Sequence, residues 1–146
     1  MERIVSEKID PSHYRADACA IWCFDDRFSG LLQKFIETKG FKHVDLIKVA
    51  GGAKGLASPA NEAEREYLLN QIAKSVKLHQ PPLIILAVHA DCGAYAAVFA
   101  DADEERKFHA RELNKAEEIV TASLRQKDES ARIEKYFCDF TGLIRV

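Results

Sequence analysis

The sequence predicts an α/β fold: a single domain, residues 1–146, with a mostly parallel central sheet flanked by helices. Three observations predict it. Segments rich in β-branched and apolar residues alternate with longer segments whose apolar residues recur at helical spacing. The run Leu83–Val88 (L-I-I-L-A-V) is apolar throughout, as a strand covered on both faces must be. The strand–helix–strand order implies parallel strands joined by crossovers, with the helices supplying the cover. A length of 146 residues with 47% hydrophobic and 30% charged residues suits one core and argues against disorder.

Each element follows from its residues in order. Residues 16–24 (A-D-A-C-A-I-W-C-F) are apolar except for Asp17 and read as strand one. Residues 28–39 read as a helix, because Leu31, Leu32, Phe35 and Ile36 share one face and Gly40 supplies a C-terminal stop. Residues 43–50 are β-branched and partly alternating, which predicts strand two. Residues 51–55 (G-G-A-K-G) read as a loop. Residues 61–79 form a second helix, with Leu68, Leu69, Ile72, Ala73 and Val76 inward, ended by Pro81-Pro82. Strand three is residues 83–88. A short helix is expected from Cys92 to Phe99. A long charged helix is expected over 103–127, with Leu113, Ala116, Val120 and Leu124 inward. Residues 132–138 and 142–146 read as two short terminal strands around Thr141-Gly142.

Composition excludes several classes. A net charge of −2 offers no basic patch for nucleic acid. The polar start, M-E-R-I-V-S-E-K, argues against a signal peptide. The longest apolar run is far too short to span a bilayer. The expectation is a cytoplasmic protein, in which four cysteines favour a metal or free thiols over disulfides.

Chemistry concentrates in C-F-D-D-R (Cys23–Arg27) and H-A-D-C-G (His89–Gly93), each directly after a strand. Two thiolates and an imidazole form a borderline-soft set that suits zinc. Three protein ligands leave a fourth position open, which is the catalytic pattern. In open α/β sheets, sites gather at the carboxyl ends of strands, so the two motifs and the glycine loop converge on one edge. Beside these stand plainer readings. Cys19 and Cys138 read as core thiols. Asp91 reads as a helix N-cap for the N–H groups near Ala94. His13, His43, His79 and His109 read as surface or half-buried, and the 51–55 loop as a tight turn or a weak anion site.

The ordered pair C-x-D-x-R and H-x-x-C, set around the Ala-Gly turn Val49-Ala50-Gly51-Gly52, resembles the β-class carbonic anhydrases over residues 16–100. The resemblance implies that Cys23, His89 and Cys92 bind Zn²⁺. It also implies a catalytic dyad of Asp25 and Arg27, with reversible hydration of CO₂ to bicarbonate by a zinc-hydroxide mechanism. It implies a homodimer or higher homo-oligomer in which the partner walls the site, and Phe28, Tyr67 and Tyr95 are candidates for that interface. The chain departs from the family pattern at Lys48-Val49, in Gly51-Gly52-Ala53-Lys54, and at Ala94, where a second glycine is common. Three alternatives stand beside the leading reading. The same fold could act on another small electrophile such as carbon disulfide. Zinc could serve a non-catalytic sensor or structural module. The 51–55 loop could bind a nucleotide, although strand one ends in C-F-D-D-R and not in a glycine fingerprint.

Overall fold

The computed structural model describes residues 1–146. In chain order the elements are β1 (Ala18–Cys23), α1 (Ser29–Lys39), β2 (Val44–Val49), α2 (Lys54–Ala57), α3 (Glu62–His79), β3 (Leu83–His89), α4 (Ala102–Arg125), β4 (Arg132–Asp139) and β5 (Gly142–Arg145). A 3₁₀ turn, Asp26–Phe28, leads into α1. The five strands form one sheet in the order β2-β1-β3-β4-β5, parallel except for the β4–β5 hairpin. No helix is long and apolar enough to cross a membrane.

Side chains on a strand alternate between faces. One face of the sheet carries Cys19 and Ile21 from β1 and Ile84, Leu86 and Val88 from β3. These pack against Leu56 of α2, Leu68 and Ile72 of α3, and Leu113, Ala116 and Val120 of α4. The other face carries Ala18, Ala20, Trp22, Leu83, Ile85 and Ala87, covered by Leu32 and Phe35 of α1. Both faces of β3 are thus buried within one chain. The flanking helices supply the cover that its continuous apolar run requires, so a twin subunit is not needed to bury that strand.

Helix ends follow their caps. Asn61 accepts from the Glu64 N–H at 3.1 Å, and Asp101 accepts from the Glu104 N–H at 2.8 Å, each satisfying a free donor of the first turn. Gly40 closes α1 at φ +68, a left-handed cap that glycine adopts without a Cβ penalty.

Two segments differ from expectation. The glycine loop is short, because α2 begins at Lys54. Residues 92–99 hold one turn, at 93–95, and otherwise irregular chain, not a helix. Only isolated turn bonds form there, Tyr95 N–H to Cys92 O and Ala96 N–H to Gly93 O. Positive φ at Asp91 (+53) and Ala96 (+49) breaks the right-handed path on either side.

Candidate metal centre

Cys23 ends β1, and His89 ends β3. Ile21 pairs with Leu86 across these parallel strands, so Cys23 and His89 reach the same carboxyl edge. Alternation sends their side chains to opposite faces, so they can meet only beyond the last rung. Cys92 arrives three residues later, after the chain turns back at Asp91. The Sγ atoms of Cys23 and Cys92 and a ring nitrogen of His89 lie within 4.8 Å of one another, all three residues buried. The predicted ligands are therefore brought together and could hold a metal ion.

The imidazole is prepared for that role. The carbonyl of Ala90 lies 2.8 Å from His89 Nδ1. A carbonyl can only accept, so Nδ1 carries the proton and Nε2 keeps its lone pair. That Nε2 is buried without any hydrogen-bond partner. A buried acceptor without a partner is costly, and a ligand-free imidazole nitrogen between two thiols fits a zinc site. Phe28 fixes the ring plane, with ring centroids 4.4 Å apart. At 3% exposure Phe28 belongs to the subunit interior, not to the interface patch suggested for it.

The thiols share charge. The neighbouring Cys92 thiol, aided by His89 and by the Gly51 N–H at 3.3 Å, draws the Cys23 thiol down. The charge gained by Cys23 holds the Cys92 thiol up. Burial opposes a charge on His89, but the Cys23 sulfur, the Ala90 carbonyl and the Asp25 carboxylate together outweigh it and raise that imidazole. The pocket thus favours a positive guest. Cys19 and Cys138 differ: burial pushes them up to about 11 and about 12, so they remain inert core thiols, as expected.

The glycine turn is shaped by this edge. Gly52 has φ +57, and a Cβ there would stand 2.3 Å from the Ala87 carbonyl oxygen and 3.0 Å from Cys23 N. Only glycine permits so close a backbone approach.

Asp25 and Arg27 also pair. Arg27 Nε reaches both carboxylate oxygens at 3.1 Å, and Nη2 reaches Oδ2 at 2.7 Å. This fork pulls Asp25 down to about 2. Oδ2 of Asp25 lies 3.8 Å from His89 Nε2, so the carboxylate faces the ligand cluster.

Three features escaped the sequence. Asp91 is no N-cap: its carboxylate accepts from Arg27 Nη1 at 2.9 Å, and its carbonyl from Nη2 at 3.1 Å. Glu105 Oε1 accepts the Asp91 N–H at 2.7 Å. His109 is only 1% exposed, stacked on Phe137 with centroids 5.2 Å apart, and so is neither surface nor half-buried. A left-handed aspartate two residues after a candidate ligand histidine has no local signature. Glu105 and His109 extend the inner face of α4 ahead of Leu113 and Ala116, but their polar side chains hide that continuation from a reading based on apolar periodicity.

Residues 14–144 match the family model described as "Putative carbonic anhydrase". No curated protein matches the chain. Among solved structures, a carbonic anhydrase from Streptococcus mutans is similar at TM-score 0.52 and 15% identity, covering 97% of this chain and 87% of that one. A β-carbonic anhydrase of Aspergillus fumigatus is similar at TM-score 0.50 and 12% identity, covering 91% and 76%. A carbonic anhydrase from Glaciozyma antarctica gives TM-score 0.50 at 17% identity, covering 92% and 84%. At such identities the likeness shows the shared fold.

Proposed function

From the premise that the chain belongs to the carbonic anhydrase family, with the β-class fold, we propose that it hydrates CO₂ reversibly to bicarbonate. The observation that carries this reading is the bare Nε2 of His89. It lies buried between two cysteine thiols, with the Asp25–Arg27 pair facing it at 3.8 Å. A purely structural metal site needs no forked carboxylate beside its ligands.

Cys23, His89 and Cys92 would hold Zn²⁺. Such an ion supplies Lewis-acid chemistry, lowering the pKa of water so that hydroxide is available near pH 7. The remaining work falls to the chain. Ala90 O fixes the histidine tautomer, and Phe28 its plane. Gly51 N–H supports the Cys23 sulfur. Asp25 accepts a hydrogen bond from the attacking water and orients it. Arg27 keeps that carboxylate ionised and aimed, and Asp91 holds Arg27 from its other side.

The assembly we propose is a homodimer, with cover for the site rim supplied by a twin. Phe24, which follows Cys23, and Phe140 and Val98, which line one cleft with Asp91, are 62%, 67% and 98% exposed and are the apolar side chains a twin would cover.

Stopped-flow CO₂ hydration, joined to metal analysis of the same sample, tests the function. Zinc-dependent turnover that falls at least about a hundredfold in both Asp25→Ala and Arg27→Ala, with zinc retained, is expected. Full zinc occupancy with no hydration of CO₂ would reject the reading. Turnover of carbon disulfide in its place would assign the other electrophile.

A further inference from the structure

Asp91 lies between two candidate ligands, two residues after His89 and one before Cys92. Its backbone is left-handed, at φ +53, a conformation that non-glycine residues adopt rarely. All its polar groups are engaged. Its carboxylate and carbonyl accept from Nη1 and Nη2 of Arg27. Its N–H donates to Oε1 of Glu105 at 2.7 Å. Arg27 Nη2 is shared between Asp91 O and Asp25 Oδ2. A shift of Asp91 would therefore tilt the guanidinium plane and open the fork on Asp25.

Glu105 is suited to holding such a point. It stands on the first turns of α4, whose start is capped by Asp101 and whose next turns are anchored in the core by Leu113 and Ala116. Its side chain is mostly buried, and Oε1 also lies 3.8 Å from Nε2 of the buried His109. A rigid helix thus reaches a residue that is hydrogen-bonded to the dyad from within the candidate ligand segment. Local backbone geometry does not stabilise that residue, so an outside acceptor must.

Resting on the carbonic anhydrase reading, we propose that Glu105 is a positioning residue. Through the Asp91 N–H it fixes the aim of the Arg27–Asp25 pair and the spacing of His89 and Cys92.

Three variants of the zinc-loaded protein test this: Glu105→Ala, Glu105→Asp and Glu105→Gln. Alanine removes the acceptor. Aspartate keeps the charge but withdraws the acceptor by one methylene, and carries the test should the alanine variant not fold. Glutamine keeps an acceptor oxygen at the right length. For alanine and aspartate we expect kcat to fall about 10- to 100-fold with KM little changed, and zinc affinity to weaken over a similar range. Glutamine should recover most of the loss. By ¹H–¹⁵N NMR the Asp91 amide proton should move upfield and exchange faster in the alanine and aspartate variants. An unmoved Asp91 amide would overturn the proposal. So would a moved amide with unchanged kcat and zinc affinity, or a glutamine variant as impaired as alanine. A wild-type protein without CO₂ hydration would sink the function alone. The Asp91 amide and zinc affinity would still decide the role of Glu105.

Discussion

At the scale of single residues, the candidate centre depends on how each donor is left with its lone pair free. His89 donates a hydrogen bond from Nδ1 to the Ala90 carbonyl, and Nε2 has no hydrogen-bond partner. Cys92 draws the Cys23 thiol down while its own is held up, so Cys23 is the sulfur poised as a thiolate. Serine in place of either cysteine presents a hydroxyl that stays protonated at neutral pH and binds Zn²⁺ poorly. Cys23→Ser and Cys92→Ser should each lose most bound zinc, measured by elemental analysis after dialysis. Zinc retained at full stoichiometry in the double variant would refute the ligand assignment. His109 makes a separate prediction. Burial first, and repulsion by His89 second, hold it down to about 4, against an ordinary value near 6.5. Between those values the unfolded chain binds a proton that the folded chain refuses, so stability rises with pH. The contribution is intact above about pH 6.5 and is lost as pH falls towards 4, amounting to about 2 kcal/mol by pH 5. His109→Phe keeps the stacking volume against Phe137 and removes the proton site. Urea unfolding of both proteins at pH 7 and pH 5 should show the smaller acid loss in the variant. Equal losses would show that His109 does not titrate in this way.

At the scale of elements, the strand ends and the turn between β2 and α2 are built as one unit. Gly52 N–H donates to Val49 O at 3.1 Å, and Ala53 N–H to Ala87 O at 3.0 Å. These bonds tie the turn to both the strand before it and β3. A methyl at position 52 would collide with the Ala87 carbonyl in a left-handed residue, so neither backbone nor neighbour can relax cheaply. Gly52→Ala should cost about 3 kcal/mol or more and lower zinc affinity, read by thermal unfolding and metal titration. A variant of unchanged stability would mean that the turn moves freely. Residues 92–99 illustrate the opposite case. Alanine-rich residues there favour a helix locally, yet the left-handed Asp91 and Ala96 prevent one. The propensity is overridden by the Glu105 and Arg27 contacts, which are 14 and 64 residues away in sequence.

At the scale of the whole molecule, the sheet order places β1 and β3 side by side, and the candidate ligands Cys23 and His89 converge at their carboxyl ends. The chain covers both faces of those strands by itself, so any twin subunit must act at the rim, not on β3. Phe24, Val98 and Phe140 are the exposed apolar groups found there. If a second copy covers them, sedimentation equilibrium at micromolar concentration should show a dimer. Phe140→Asp should shift it towards monomer and lower activity. A fully active monomer would remove the assembly while leaving the metal centre in place.

The sequence by itself determined the α/β alternation, the buried β3, the inner face of α4 and the two motifs that carry Cys23, Asp25, Arg27, His89 and Cys92. Those features are legible because each rests on short-range physics: apolar periodicity, a cap, or a ligand set at fixed local spacing. Tertiary structure alone decided that Asp91 braces Arg27, that Glu105 holds Asp91, that His109 is buried and that Phe28 supports His89. Each of these depends on which distant residue the closed chain brings within hydrogen-bond or stacking distance. A long-range contact of that kind leaves no periodic trace in the segments that form it, so it could be read only once the sheet had set β1, β3 and α4 against one another.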